Sequence, residues 1–235
     1  MSILLEWDKS GEKEYETGLK RGVLYLQSSA GAYTNGVVWN GLTSVDESPD
    51  GADANDFYAD DIKYASIRST ESYKGSIGAY MYPDEFALCN GEVEVAQGVS
   101  IGQQTRQVFG LCYRTGIGND VDGQDHGYKL HFVYGATVSP SEKSHETIND
   151  SPSLVEMSWD FETVPVNVSG YKPTATIEVD STKCDATKLA ELEAIIYGTA
   201  AVEADADAGI EAAEAIPARL PLPDEIIALV GTAEG

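Results

Sequence analysis

Short stretches rich in Val, Ile, Tyr, Phe and Thr recur along this chain, separated by clusters of Gly, Asn, Asp, Ser and Pro. β-Branched and aromatic side chains suit a pleated, half-buried surface and the intervening residues supply turns, so the pattern predicts a mostly β fold, an antiparallel sandwich or barrel. Strands are expected near residues 22–26, 37–43, 57–69, 73–82, 106–115, 128–138, 155–164 and 174–180. Together they suffice for two sheets. In the clearest alternation Tyr128, Leu130, Phe132 and Tyr134 are expected to face the core, and Lys129, His131 and Val133 the wetter side.

Two connections stand out. Residues 116–127, dense in Gly, Asn and Asp, predict an exposed hairpin loop. Residues 44–56 carry Asp46, Glu47, Asp50, Asp53 and Asp56 around Pro49 and Gly51 and show no apolar periodicity. At about 13 residues this second loop exceeds the usual connection length, which makes it a candidate for contact with a partner.

After the last strand, Asp185 to Gly198 reads as a helix, with Asp185 as N-cap and Gly198 as the stop. Leu189, Leu192 and Ile196 share one face, a stripe suited to packing on a sheet. The composition then changes. From Ala200 onward eight acids face one basic residue, Arg219, among Ala, Pro217, Pro221 and Pro223. The chain therefore divides into a β domain at 1–199 and an acidic extension at 200–235, flexible or docked on a neighbour. Ile226, Ile227, Leu229 and Val230 within it are placed to form a short docking helix.

The 235 residues are 42% hydrophobic, enough for a large domain with an appendage. Fifteen basic against thirty-nine acidic residues give a formal charge of -24. Such a field keeps free subunits soluble, and it argues against counterion-release binding to nucleic acid and against attraction to an anionic membrane. Cys89, Cys112 and Cys184 are far apart and form no C-x-x-C, so reduced, partly buried thiols are expected. The opening residues lack a basic n-region and no apolar run of about 18 residues occurs, so neither a signal peptide nor a membrane span is expected. Without a secretory route, the glycosylation patterns at Asn149 and Asn167 are accidental matches.

Three motifs bear on chemistry. Gly98-Val99-Ser100-Ile101-Gly102 matches the G-x-S-x-G nucleophile elbow, but no helical stripe follows it, and nothing ties His126, His131 or His145 to Ser100. Asp120, Asp122 and Asp125 around Gly123 resemble a calcium loop, yet Gly118 and Lys129 fall where its first and twelfth ligands belong, leaving at most a weak cation site. Glu92 and Glu94 are spaced like paired carboxylates, with no aromatic platform beside them. No catalytic residue, cofactor or metal is expected.

The stretches WDKSGEK at 7–13, YETG at 15–18, GVLY at 22–25, VWNGLT at 38–43, YADDIKY at 58–64, YMYPDEF at 80–86, GND at 118–120, HGYK at 126–129, SPSEKS at 139–144 and KPTAT at 172–176 together resemble one family. It is that of the major tail tube proteins of long-tailed bacteriophages infecting Gram-positive bacteria. The resemblance covers roughly 5–199 and ends at the acidic extension.

It implies a β-sandwich of the tail tube type with one or two helices, closing into hexameric rings that stack into a hollow tube in the virion tail, assembled in the host cytoplasm. The expected partners are copies of the chain itself, with the tape measure, tail terminator and baseplate proteins. An acidic lumen would let DNA slide past without sticking. By the same analogy residues 44–56, with Asp46, Glu47, Asp50, Asp53 and Asp56, are the first candidate for inter-ring contact, and the segment around Trp7 the second. A virion decoration protein, a carbohydrate-binding sandwich and a Ser100 hydrolase remain the alternatives.

Overall fold

The computed structural model describes residues 4–51, 53–143, 145, 147, 154–202 and 214–231. Along these the elements are β1 (Tyr15–Gln27), β2 (Tyr33–Trp39), β3 (Leu42–Glu47), β4 (Ala54–Ala59), β5 (Ile62–Arg68), β6 (Lys74–Ala79), α1 (Phe86–Cys89), β7 (Val93–Ala96), β8 (Val99–Ile101), β9 (Phe109–Asn119), β10 (Gly123–Val138), β11 (Met157–Thr163), β12 (Thr176–Asp180), α2 (Ala186–Tyr197), β13 (Arg219–Leu220) and α3 (Pro223–Val230). The protein is mostly β and antiparallel, with a sandwich-like core.

One nine-stranded sheet does the work expected of two. Its order is β13-β2-β1-β9-β10-β11-β6-β3, with β12 also on β10, while β4-β5 and β7-β8 form separate two-stranded sheets. The long strand β10 makes this possible because it changes partner partway. Lys129 to Val133 pair with β12, whereas Ala136 to Val138 pair with β11. Gly135 sits at the switch with φ 63°, and a Cβ there would collide with the Val164 carbonyl oxygen, so only glycine fits.

Both faces of the curled sheet are covered. On one, Val23, Tyr25, Tyr33, Cys112, Leu130, Phe132 and Tyr134 pack under α2 and α3 through Leu189, Leu192, Ile196, Ile226 and Val230. On the other, Leu24, Leu111, Tyr113 and Val133 meet Ile77, Trp159 and Phe161 from the folded-over strands. Aromatic contacts centre on Phe86, with ring centroids 4.4 Å from Trp39 and 5.1 Å from Trp159. The wetter face assigned to β10 is therefore corrected at its centre: Val133 and His131 are buried, because the sheet bends back over them.

The local readings of α2 hold. Asp185 accepts from the Thr187 and Lys188 amides, Gly198 ends the helix at φ 74°, and Leu189, Leu192 and Ile196 are buried. A second helix, α3, and the single turn α1 complete the helical content among the described residues. Several boundaries move. The strand expected at 37–43 is two, β2 and β3, joined through Asn40 and Gly41, and the strand expected at 57–69 is the β4-β5 pair. The loop expected at 116–127 shrinks to Asp120, Val121 and Asp122, since β9 and β10 run into it from both sides with Ile117 and Asn119 buried.

The segment expected to be flexible or docked on a neighbour returns, over 214–231, to its own body. Thr199 and Ile216 exchange backbone hydrogen bonds at 2.9 and 3.0 Å, β13 pairs with Tyr33 and Thr34 of β2, and α3 seals the helix-side core. The apolar side chains Ile226 and Val230 find cover in cis, opposite the same strands that α2 covers. Residues 203–213 and the pattern at Asn149-Asp150-Ser151 lie outside the described residues.

Candidate assembly surface

A run of exposed apolar side chains is carried on an arm. β3 and β6 pair in the main sheet, and the same two chains continue outward together: the Ser48 amide donates to the Lys74 carbonyl, Asp50 bridges Ser72, the Ser69 amide donates to the Asp53 carbonyl, and β4 then pairs with β5. The turn at its tip is Asp60-Asp61, both left-handed at φ 50° and 62°, as a two-residue hairpin loop demands. At 3.3 Å per residue the ribbon reaches at most about 40 Å from the sheet. That is roughly twice the radius of gyration of about 18 Å expected for a domain of this size.

The arm has two chemically different sides. Phe57 lies opposite Ala65 and Asn55 opposite Ile67, so these four share one side. On the other, the Asp56 carboxylate accepts from Ser66 Oγ at 2.6 Å and pairs with Lys63 Nζ at 2.7 Å. Phe57, Tyr58, Ile62, Tyr64 and Ile67 are all 50% exposed or more. An isolated two-stranded hairpin is marginal in water, and contiguous exposed apolar surface of this kind makes the arm a candidate interaction site.

The loop expected at 44–56 is thus corrected to the root and first strand of this arm, and its acids divide by role. Asp46 lies in β3 and accepts from Ser44 Oγ at 3.0 Å. Glu47, the last residue of β3, accepts from the buried Tyr113 hydroxyl at 2.7 Å. Asp50 pairs with Lys74 at 3.3 Å, and that hydrogen bond holds its carboxyl below the usual range. Asp53 contributes its carbonyl to the ladder, and Lys63 depresses Asp56 in the same way as Lys74 does Asp50. Of these carboxylates, Asp50 and Asp56 link the two chains of the ribbon through Lys74 and Lys63, and the ribbon's apolar side chains are exposed. The signal for the hairpin was legible in Asp60-Asp61 interrupting the apolar run 57–69.

Trp7 is 77% exposed in the extended N-terminal segment, with Leu4 and Leu5. That segment is tied to the tip of β9-β10, where the Gly11 amide donates to Asp120 Oδ1 at 2.9 Å and Glu14 lies 3.5 Å from His126 Nε2. Asn119 organises the same turn, accepting from the Val121 and Asp122 amides. Asp120 and Asp122 are engaged by these contacts, and no metal-ligating cluster is found among the described residues. No hydrogen bond or ion pair among the described residues joins the Trp7 segment to the arm.

The elbow motif takes a different shape from its template: Ser100 lies exposed in β8, the second strand of a small hairpin turning at Gly98 (φ 75°), with no helix after it. Glu94 accepts from the Gly98 amide at 2.7 Å, and Glu92 is paired with Lys143 at 2.6 Å. Cys89, Cys112 and Cys184 are free thiols, and burial pushes Cys89 up to about 12, far from a reactive thiolate. A cleft of about 510 Å³ beside α2 is lined by Lys20, Arg114, Tyr128 and Glu193, with the Arg114 guanidinium seated 3.5 Å over the Tyr128 ring. Among the described residues no helix is long and apolar enough to cross a membrane.

A further cluster escaped the sequence reading. His131, nearly buried, stacks on Tyr113 at 4.7 Å, and its Nε2 lies 2.9 Å from Thr115 Oγ1 and 3.3 Å from Glu16. Lys129 bridges Glu16 at 2.9 Å and Glu178 at 3.0 Å. Burial raises the Glu16 carboxyl, but the Thr115 and Lys129 hydrogen bonds outweigh it and leave Glu16 below its ordinary value. No protein-family model matches the chain, and no curated protein matches it at a significant level.

Proposed function

We propose that this chain is a structural subunit that assembles with copies of itself, and that it is the tube protein of a long bacteriophage tail. The observation that carries the first part is the β4-β5 arm, whose apolar side finds no cover on its own body. Each such side chain contributes roughly 1.5–3 kcal/mol when fully covered. A second copy is the natural occupant, because a projecting ribbon on every subunit gives a heterologous contact that repeats, closing into rings or extending into tubes.

The second part rests on the sequence resemblance and on the charge. In this reading hexameric rings stack into a conduit, the net charge of -24 supplies an acidic lining that repels DNA phosphates, and the tape measure, terminator and baseplate proteins meet the ends. The protein then works in the virion tail and carries out no reaction.

Negative-stain microscopy of the purified protein tests the reading. Rings or hollow tubes are expected at high concentration, and a variant lacking 54–68 should remain a folded monomer. Monodisperse wild-type monomers under all conditions, or trimers that bind only capsid, would count against it; glycan binding by the monomer would favour the carbohydrate-binding alternative.

A further inference from the structure

The arm acts at a distance, so its root matters. A swing of about 10° at the end of the main sheet displaces a tip some 40 Å away by roughly 7 Å, more than the spacing between neighbouring strands. Several side-chain contacts hold that root to the body: on the returning chain the Tyr73 carbonyl accepts from Thr163 Oγ1 at 2.7 Å, and the Tyr73 ring lies 6.4 Å from that of Phe161. Lys74, on the returning chain, meets Glu162 of β11 at 3.3 Å, an exposed ion pair of little mechanical value.

The contact made by the outgoing chain is of a different kind. Glu47 is the last residue before the arm departs, and its Oε1 accepts from the hydroxyl of Tyr113 in β9 at 2.7 Å. Tyr113 is 3% exposed and lies parallel to the ring of His131 in β10, at an interplanar angle of 4°. His131 is in turn wedged by Thr115 and Glu16 on one nitrogen, with Glu178 of β12 and Glu47 itself 3.8 and 4.0 Å from the other. A buried donor, a carboxyl acceptor and a locked ring make a directional bond, and four strands of the body stand behind it.

We propose that Glu47 is a positioning residue for self-assembly: its bond to Tyr113 sets the direction in which the β4-β5 arm leaves the body, and so which part of a neighbouring copy the arm reaches. This rests on the reading of the arm as the assembly element. Glu47 touches no partner in this scheme. It makes the arm a pointer instead of a tether, and lowers the conformational entropy lost when the arm docks.

Spin labels at Ala59→Cys near the tip and Glu191→Cys on α2, in a Cys184→Ser background, read the arm's direction in the free subunit, and light scattering reads assembly. Glu47→Ala and Tyr113→Phe should broaden the distance distribution and slow assembly at least about tenfold. Glu47→Gln, whose amide oxygen still accepts from Tyr113, should restore both, an outcome that a purely structural role for the carboxylate charge would not give. An unchanged distribution in a folded Glu47→Ala or Tyr113→Phe subunit overturns the proposal. If deletion of 54–68 abolishes assembly while these variants assemble as wild type, the positioning role alone fails. If the deletion variant itself assembles, the reading of the arm fails, and the distance measurement still stands on its own.

Discussion

The Asp224 carboxylate receives both the backbone amide of Ser169, at 2.8 Å, and its hydroxyl, at 2.7 Å, across 55 residues of sequence. With Arg219 bound to Glu225 through Nη1 and Nη2, this pins α3 over the helix-side core. The Ser169 amide, then its hydroxyl, holds Asp224 below the ordinary carboxylate range, and Arg219 does the same for Glu225.

Both folded-state values are depressed, so their contribution is complete above the unfolded-state pKa of about 4 and is lost as pH falls through the folded values. Docking of α3 should accordingly loosen only under acid conditions. Melting curves from pH 6 to 3 should show a decline below about pH 4 that Asp224→Asn makes shallower.

The burial pattern of α3 gives a sharper contrast. Ile226 is 1% exposed and Ile227 is 45% exposed. Ile226→Ala should cost about 2–4 kcal/mol in urea unfolding, by lost transfer energy plus the cavity left behind, and Ile227→Ala under about 1 kcal/mol. Equal effects would mean that α3 does not rest on its own sheet in solution.

Gly135 and Gly170 both adopt left-handed backbone, at φ 63° and 80°, but only Gly135 has a carbonyl in the way of a Cβ. Gly170→Ala should cost about 1 kcal/mol, the ordinary penalty for that conformation, whereas Gly135→Ala should cost more than about 3 kcal/mol, because the strand switch itself must move. Chemical denaturation of the two variants reads the difference.

Polar substitution on the arm separates stability from assembly. Phe57→Ser with Ile67→Ser removes apolar area that is already exposed, so the melting temperature of the free subunit should change little, within about 0.5 kcal/mol of stability. Sedimentation should then show monomers under conditions where the wild type forms large particles.

Charge predicts a salt dependence. Subunits of formal charge -24 repel one another, and the screening length falls from about 30 Å at 0.01 M to about 8 Å at 0.15 M ionic strength. Assembly followed by light scattering should therefore accelerate as salt rises across this range. A slowing would point to attractive ion pairs at the contact.

What could be read from the sequence alone was what is decided within a few neighbouring residues. Asp185 caps its own helix, Gly198 ends it, and Leu189, Leu192 and Ile196 declare the buried side, because capping and helical periodicity involve only the next turn of chain. The alternation of β-branched and aromatic residues gave the antiparallel β class for the same reason. Partner choice is not local. Nothing near His131 shows that the sheet will fold over it, nothing near Ile226 shows that it will cover its own sheet, and the acids at 44–56 gave no sign that they brace a ribbon. Glu47 finds Tyr113 from 66 residues away. Such contacts are set by how β10 switches partners at Gly135 and curls one sheet into two layers, and that curvature exists only once the whole chain has packed.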